Sequence, residues 1–234
     1  MYYGIDGHII KIDENPIEYR VNTLTFDVEG TEFPKFFNKN LGAKAFFLSK
    51  KPNTLSVNYG DGTSVSVPFV PHTSNTYSAE IYKGFTEIND GEIPVKTFED
   101  GYSGVRNVSI TFGDMRDILE LIMTNIPLLG AFPSEINFAT SLERLQVVRS
   151  YGVSQLDLKF PKSLKKVKTK SFGSVQFETI PDSIFESQLK TFAMRDDFDF
   201  SDNIKSGFFK IFLLKDTLET LEVSNSEGLP SQIS

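Results

Sequence analysis

The sequence predicts a mainly β protein in two parts, an antiparallel β-sandwich followed by a solenoid of stacked α/β repeats. Three observations lead to this prediction. Apolar and polar residues alternate in short runs between residues 21 and 112, two of these runs flank a Gly-Asp-Gly turn, and a proline-containing unit recurs after residue 112. Alternation with a period of two is typical of half-buried strands, and recurrence every 20 to 50 residues or so is typical of solenoids.

The composition excludes several classes of protein. The chain has 234 residues, of which 39% are apolar and 22 are phenylalanine, which is enough for a sizeable core. A net charge of −7 argues against a basic nucleic-acid module. The absence of cysteine and the presence of only two histidines, His8 and His72, remove disulfides, thiol nucleophiles and local thiolate or histidine metal motifs. No apolar run reaches about 18 residues, so no membrane insertion is expected.

Residues 1–20 are predicted to form a small N-terminal appendage. Ile9, Ile10 and Ile12 indicate a short strand, and the polar segment ending at Pro16 indicates a turn. The first residues lack the basic and apolar segments of a secretory signal. The chain is therefore expected to be made and kept in a cytoplasm, or to leave it without a cleaved signal. Replacement of a signal sequence by an initiator methionine is the alternative.

Residues 21–112 are predicted to form the antiparallel β-sandwich. The alternating apolar positions of four strands are Leu24, Phe26 and Val28; Leu55, Val57 and Tyr59; Val65, Val67 and Phe69; and Val108, Ile110 and Phe112. Short alternating strands separated by turn residues favour two packed antiparallel sheets.

A tight hairpin is predicted where Gly60, Asp61 and Gly62 separate two of these strands. Glycine adopts positive φ without steric cost, and an aspartate carboxylate can accept hydrogen bonds from nearby backbone N–H groups. We expect positive φ at Gly62 and a structural turn at 60–62. Asp61 is expected to cap its own turn, with calcium ligation as the alternative.

Residues 113–234 are predicted to form the solenoid. Four units align on the leucines Leu142, Leu164, Leu189 and Leu218, which are 22, 25 and 29 residues apart. Each unit of a solenoid buries its apolar edge only by stacking on the next, so these leucines should be buried along one ridge. A fifth unit begins at Leu229 and is cut off by the C-terminus, which predicts a truncated array or one capped by another chain.

Three segments resemble two known families. Residues 58–63 (NYGDGT) and 98–110 (FEDGYSGVRNVSI) resemble the hairpin and a late strand of the PKD-like β-sandwich. Residues 160–172 (FPKSLKKVKTKSF) resemble the BspA-type leucine-rich repeats of bacterial surface proteins. The resemblance implies a PKD/Ig-like β-sandwich at 21–112 joined to a leucine-rich-repeat solenoid at 113–234, a pairing that occurs in those surface proteins.

The candidate binding patch is a cluster of six lysines within twelve residues. Its members are Lys159, Lys162, Lys165, Lys166, Lys168 and Lys170. Apolar residues are interleaved with them, which predicts ammonium groups on the outer face of the solenoid. The cluster is interpreted either as a solvated face or as a patch for an anionic partner such as an acidic glycan, a lipid head group or nucleic acid. Nucleic acid is the least expected of these, given the net charge and the few arginines.

No catalytic or metal-binding motif is present. The acidic group Asp196, Asp197, Asp199 and Asp202 lacks the spacing of a calcium loop and is interpreted as a solvated insertion. Motifs of serine hydrolases, zinc proteases and phosphate-binding loops are missing, and nothing favours one pair of acidic residues for glycoside hydrolysis. The sequence therefore predicts no catalytic residue, no cofactor and no enzyme activity.

The predicted function is that of a structural or recognition protein that presents a repeat surface. Its expected partners are other protein chains, with an acidic glycan as a further candidate. A phage virion or tail-associated component is the expected class, because such a protein is assembled in the host cytoplasm and acts outside it. A bacterial cell-surface adhesion protein and, less favoured, a carbohydrate-active enzyme are the alternatives.

Overall fold

The computed structural model describes residues 2–5, 8–11, 22–29, 44–60, 62, 64–83, 92–95, 105–124, 128–148, 152–170, 180–195, 207–214 and 216–224. Strands dominate this part of the chain, so the prediction of a mainly β protein is confirmed. The strands are β1 (Tyr2–Ile5), β2 (His8–Lys11), β3 (Thr23–Glu29), β4 (Lys44–Ser49), β5 (Thr54–Asn58), β6 (Ser64–Pro68), β7 (Val70–Thr73), β8 (Thr76–Lys83), β9 (Glu92–Val95), β10 (Val105–Phe112), β11 (Ile118–Thr124), β12 (Leu128–Phe132), β13 (Arg144–Val148), β14 (Gly152–Leu156), β15 (Lys166–Lys170), β16 (Thr191–Arg195) and β17 (Thr220–Ser224).

The helical segments of the described residues are all 3-10 helices. They are η1 (Met115–Asp117), η2 (Ser134–Phe138), η3 (Asp182–Glu186) and η4 (Phe208–Leu214). The α component predicted for the repeats is therefore wrong in this part of the chain. Units of 22 to 29 residues leave little chain between strands. The helix η2 follows Pro133 and buries Ile136, and η3 follows Pro181 and buries Ile184. A single tight turn suffices for that burial.

Two large sheets and one small sheet contain these strands. The first large sheet has the order β14-β12-β3-β10-β5-β6. The second has the order β17-β16-β15-β13-β11-β4-β8-β7, with β9 paired to β8. β1 and β2 pair with each other in a separate antiparallel ribbon, which places the predicted N-terminal strand in β2.

In the described chain, the strands that follow residue 112 pair parallel with one another, whereas the strands before it pair antiparallel, except β8 with β9. β11 pairs antiparallel with β4 on one side and parallel with β13 on the other. β12 pairs antiparallel with β3 and parallel with β14. The strands that follow residue 112 therefore extend the two sheets formed by the strands before it. The division into domains at this residue stays a prediction.

The core contains residues of both large sheets and of the 3-10 helices. Phe47 on β4 meets Phe112 on β10 edge to face, with ring centroids 5.4 Å apart. Phe26 on β3 meets Phe132 on β12 in the same way at 5.5 Å. The buried apolar residues of the described chain form one continuous cluster. Packing therefore joins the antiparallel strands to the parallel ones.

The buried side chain of Asn53 fixes the chain at the transition between the two pairing modes. Its Oδ1 accepts hydrogen bonds from the backbone N–H groups of Thr54, at 2.9 Å, and Asp114, at 3.0 Å. Its Nδ2 donates to the carbonyl of Asp114 at 2.8 Å. The Oδ1 of Asn22 accepts from the N–H of Met115 at 3.1 Å. These bonds satisfy backbone groups at the start of β5 and in the segment that joins β10 to η1.

The predicted hairpin joins β5 to β6, with Asn58 opposite Ser64. Gly60 and Gly62 both have positive φ, +74° and +84° respectively. The N–H of Gly60 donates to the side-chain Oδ1 of Asn58 at 2.9 Å. Asp61 lies outside the described residues, so its predicted capping role stays a prediction.

The four aligned leucines belong to the core or pack against it. Leu142, Leu164 and Leu189 are fully buried, whereas Leu218 is half-buried and packs against the same core. Leu218 lies two residues before β17, which is the last described strand of its sheet. Fewer neighbours cover an edge position, which accounts for its greater exposure.

Candidate recognition face

A ladder of backbone hydrogen bonds holds the parallel strands in register just before their first residues. The N–H of Glu143 donates to the carbonyl of Leu119 at 2.7 Å, and the N–H of Lys165 donates to the carbonyl of Glu143 at 2.8 Å. The N–H of Lys190 donates to the carbonyl of Lys165 at 2.9 Å, and the N–H of Glu219 donates to the carbonyl of Lys190 at 2.8 Å. The residue after each aligned leucine therefore stacks on its equivalent in the next unit. This stacking fixes which side chains become neighbours on the sheet.

Alternation along the strands places two rows of side chains on the side of the sheet away from the core, here called the outward face. The first row is Glu120, Arg144, Lys166, Thr191 and Thr220, and the second is Ile122, Gln146, Lys168, Ala193 and Glu222. The residues between them, such as Leu145 and Val167, are fully buried. Successive residues of a strand point to opposite faces, which explains the division.

Three cationic side chains are adjacent on the outward face. Arg144 and Lys166 are direct partners on β13 and β15, and Lys168 lies two residues beyond Lys166 on the same strand. Arg144 contacts Glu120 at 3.5 Å and donates to the Oε1 of Gln146 at 2.8 Å. Among the described residues, no carboxylate pairs within 4 Å with Lys166 or Lys168. The result is a local concentration of positive charge on an acidic protein.

The positive charges near Lys166 affect its pKa. Burial, followed by the positive charges of Arg144 and Lys168, lowers the pKa of Lys166 from its ordinary value. The carboxylates of Glu222 and Glu120 act in the opposite direction and do not compensate. Like charges and desolvation both disfavour the protonated form of an amine. A bound anion would relieve both effects.

The six lysines of the predicted patch do not form one surface. Lys165 pairs with Glu143 of the preceding unit at 2.8 Å, and Lys162 pairs with Glu186 at 3.1 Å. Lys159 is exposed in the segment before the turn. These three lie before β15 and outside the two rows of the outward face.

The remaining three lysines belong to β15. Lys166 and Lys168 lie in the two rows of the outward face, and the backbone of Lys170 continues the same strand. The side chain of Lys170 lies outside the described residues, as do the acidic residues Asp196, Asp197, Asp199 and Asp202.

Arg144 is the member of the cationic group that sequence reasoning missed. It lies 22 residues before Lys166 and outside the lysine cluster. The signal was nevertheless present, because aligning Leu142 with Leu164 also aligns Arg144 with Lys166. The lysine cluster is a local feature of the sequence, whereas parallel pairing brings together residues 22 positions apart, such as Arg144 and Lys166.

A shallow depression of about 290 Å³ lies at the transition between the pairing modes. It is lined by Pro52, Asn53, Thr54, Gly113 and Asp114. The amide of Asn53 is occupied by backbone groups, and the carboxylate of Asp114 binds Arg116 at 2.8 Å. These polar groups are used in holding the chain together, so the depression carries no free binding chemistry.

Within the described residues, no group of three or more histidine and acidic side chains is placed to hold a metal ion. In the same residues, no helix has the length and apolarity needed to cross a membrane.

The fold and this face define a class of protein, a two-sheet β structure whose parallel half exposes rows of stacked side chains. No family model, curated protein or solved structure matches the chain.

Proposed function

We propose that the chain is a non-enzymatic structural and recognition protein, in which a PKD/Ig-like sandwich continues into a leucine-rich-repeat solenoid. The observation that carries this proposal is the in-register parallel stack of β11, β13, β15, β16 and β17. Such a stack presents equivalent positions of successive repeats on one extended surface, which is how solenoid proteins contact large partners.

Side-chain bonds between neighbouring units support the solenoid interpretation. The Nδ2 of Asn137 donates to the carbonyl of Asp157 at 3.1 Å, and its Oδ1 accepts from the N–H of Lys159 at 2.8 Å. The hydroxyl of Ser163 donates to the carbonyl of Leu142 at 2.8 Å. Each bond joins residues about one repeat apart, so each unit supplies polar partners for the next.

We propose a phage virion or tail assembly as the setting, with other protein chains as partners. The N-terminal ribbon β1–β2 supports this proposal, because it pairs with itself and is joined to neither large sheet. A separate strand pair of this kind is suited to add to a sheet of a neighbouring chain. We propose residues 1–12 as the segment that joins the assembly.

Purified particles from the source provide the test. Tagged full-length chain and a form lacking residues 1–12 would be expressed during assembly and quantified in the particles by mass spectrometry. We expect the full chain in the particles and strong depletion of the deleted form. A Lys162→Gln form, altered outside the ribbon, serves as the matched control and should be incorporated normally.

Two results would overturn this setting. One is normal incorporation of the deleted form, which would exclude the ribbon as the joining segment. The other is absence of the full chain from particles combined with its release by protease from intact cells, which would favour the bacterial cell-surface alternative.

A further inference from the structure

We infer that Arg144, Lys166 and Lys168 form a binding site for an acidic group of a glycan, a carboxylate or a sulfate ester, on the outward face. The inference rests on the proposed function, because it names the ligand class of the recognition surface. It concerns a site made by two neighbouring repeats and not the lysine cluster along the chain.

The spacing of the three cations suits one small anion. Neighbouring strands are about 4.8 Å apart, and residues two apart on a strand are separated by about 6.6 Å. Arg144 and Lys166 therefore lie side by side, with Lys168 next along β15. A single oxyanion placed over them can contact two or three cationic groups at once, and charge-assisted hydrogen bonds are the strong ones.

Within the part of the chain that the structure describes, no carboxylate lies within 4 Å of Lys166 or Lys168, which sets them apart from neighbouring lysines. Lys165 binds Glu143 at 2.8 Å, and Lys190 binds Glu219 at 2.6 Å. Ion pairs between neighbouring units are thus a feature of this stack. Lys166 and Lys168 depart from it within the described residues, although Lys166 lies in a crowded positive field. An external anion supplies the missing opposite charge.

The limits of the patch argue for a sparsely charged ligand. Glu120 ends the first row on one side, and Glu222 lies in the second row two strands beyond Lys168. A polyphosphate chain laid across the strands would meet these carboxylates, and the net charge of −7 adds long-range repulsion. Thr191 and Gln146 lie beside the lysines in the two rows and offer neutral hydrogen-bonding groups for sugar hydroxyls.

Binding to immobilised polysaccharides tests the inference. The full chain would be passed at near-physiological salt over alginate (carboxylated), dextran sulfate (sulfated), uncharged dextran and single-stranded DNA. We expect binding to at least one acidic polysaccharide, none to uncharged dextran and weaker binding to DNA. The carboxylated and sulfated arms distinguish the two sources of the anionic group.

Matched variants locate the site. The double variant Lys166→Gln/Lys168→Gln should weaken binding at least about tenfold, the loss expected when charged hydrogen bonds are removed. The double variant Lys159→Gln/Lys162→Gln removes the same charge from the same segment outside the outward face, and we expect its affinity to remain within about twofold of the parent. Thermal unfolding of both variants checks that they are folded.

A gain of affinity provides a second readout that misfolding cannot produce. Glu222→Gln removes a carboxylate from the row of Lys168 and should strengthen binding to the acidic polysaccharide. Equal losses in both double variants, no binding by the parent chain, or tighter binding to DNA would each overturn the inference. Any of these results would leave the incorporation of the chain into particles unaffected, so failure of the site and failure of the proposed function can be distinguished.

Discussion

At the scale of single residues, the hairpin glycines differ in what surrounds them. A Cβ on Gly60 would lie 2.5 Å from the backbone carbonyl oxygen of Asn107 on β10, whereas a Cβ on Gly62 would meet nothing within 4 Å. Both have positive φ, so both substitutions carry conformational strain. The sequence pointed to Gly62 as the sensitive position, and the structure adds a steric constraint at Gly60.

We therefore expect Gly60→Ala to be the more damaging change. Gly62→Ala should cost about 1 kcal/mol of the free energy of unfolding, from its backbone conformation alone. Gly60→Ala should cost about 2–4 kcal/mol, because β10 must also move away from the turn. Urea unfolding of the two variants measures the difference. Equal costs would contradict the close approach at Gly60.

Lys166 permits a prediction on stability and charge. Its pKa is lowered in the folded state by burial and by Arg144 and Lys168, and raised by Glu120 and Glu222 with a smaller effect. Folding therefore disfavours the protonated amine, and this cost is present at neutral pH and disappears as the pH rises through the lowered pKa. Lys166→Met should raise the Tm at pH 7 by a small amount, because solvent screens the charges at this partly exposed site.

The control for this change is Lys162→Met, which removes an exposed lysine paired with Glu186. We expect its Tm to stay the same or to fall slightly, because exposed ion pairs contribute little. The gain from Lys166→Met should diminish at alkaline pH, where the parent lysine loses its proton. A gain that is the same at pH 7 and in the alkaline range would show that charge is not its cause.

At the scale of the structural element, a leucine that packs in the core lies two residues before each of four strands, β13, β15, β16 and β17. Leu142, Leu164 and Leu189 are fully buried, and Leu218 is half-buried at the last described strand of its sheet. The length and spacing of the units varies, yet the ladder of backbone hydrogen bonds after each leucine keeps the strands in register. Each leucine thus contributes core packing at the point where one unit meets the next.

Substitution of these leucines by alanine should show how deeply each side chain is buried. Leu164→Ala should lower the free energy of unfolding by about 2–5 kcal/mol, the range for a buried leucine that leaves a cavity. Leu218→Ala should cost clearly less, because part of its side chain is already exposed. Chemical denaturation of the two variants measures both values. A larger cost for Leu218→Ala would contradict its half-buried position.

At the scale of the whole molecule, the two large sheets and the core continue past residue 112. β4 has β11 as its partner, and β3 has β12, so strands on either side of this residue satisfy each other's backbone groups. Phe26 packs on Phe132 across the same division. Unpaired edges and exposed aromatic rings are costly, so the two parts should stabilise each other.

We therefore expect one cooperative unfolding transition for the described strands of both sheets. Phe112→Ala, before the division, and Leu164→Ala, after it, should shift the same transition to lower denaturant concentration. Fluorescence of the tyrosines and far-UV circular dichroism should report coincident midpoints in each variant. A fragment ending at residue 112 should be much less stable than the parent chain. Two separate transitions, each shifted by one variant alone, would contradict this coupling.

The sequence by itself determined the local elements of this protein. Alternating apolar residues predicted the strands around Phe26, Val57 and Ile110, because alternation and burial on one face are the same property. The spacing of the leucines likewise placed Leu142, Leu164 and Leu189 in the core. Only the tertiary structure decided that the strands after residue 112 extend the sheets formed before it, that the helical turns of the described residues are 3-10 helices, and that Arg144 lies beside Lys166. Those features depend on pairing between segments that are far apart in the sequence. The contacts that stabilise such pairing cannot be read from a local pattern of residues.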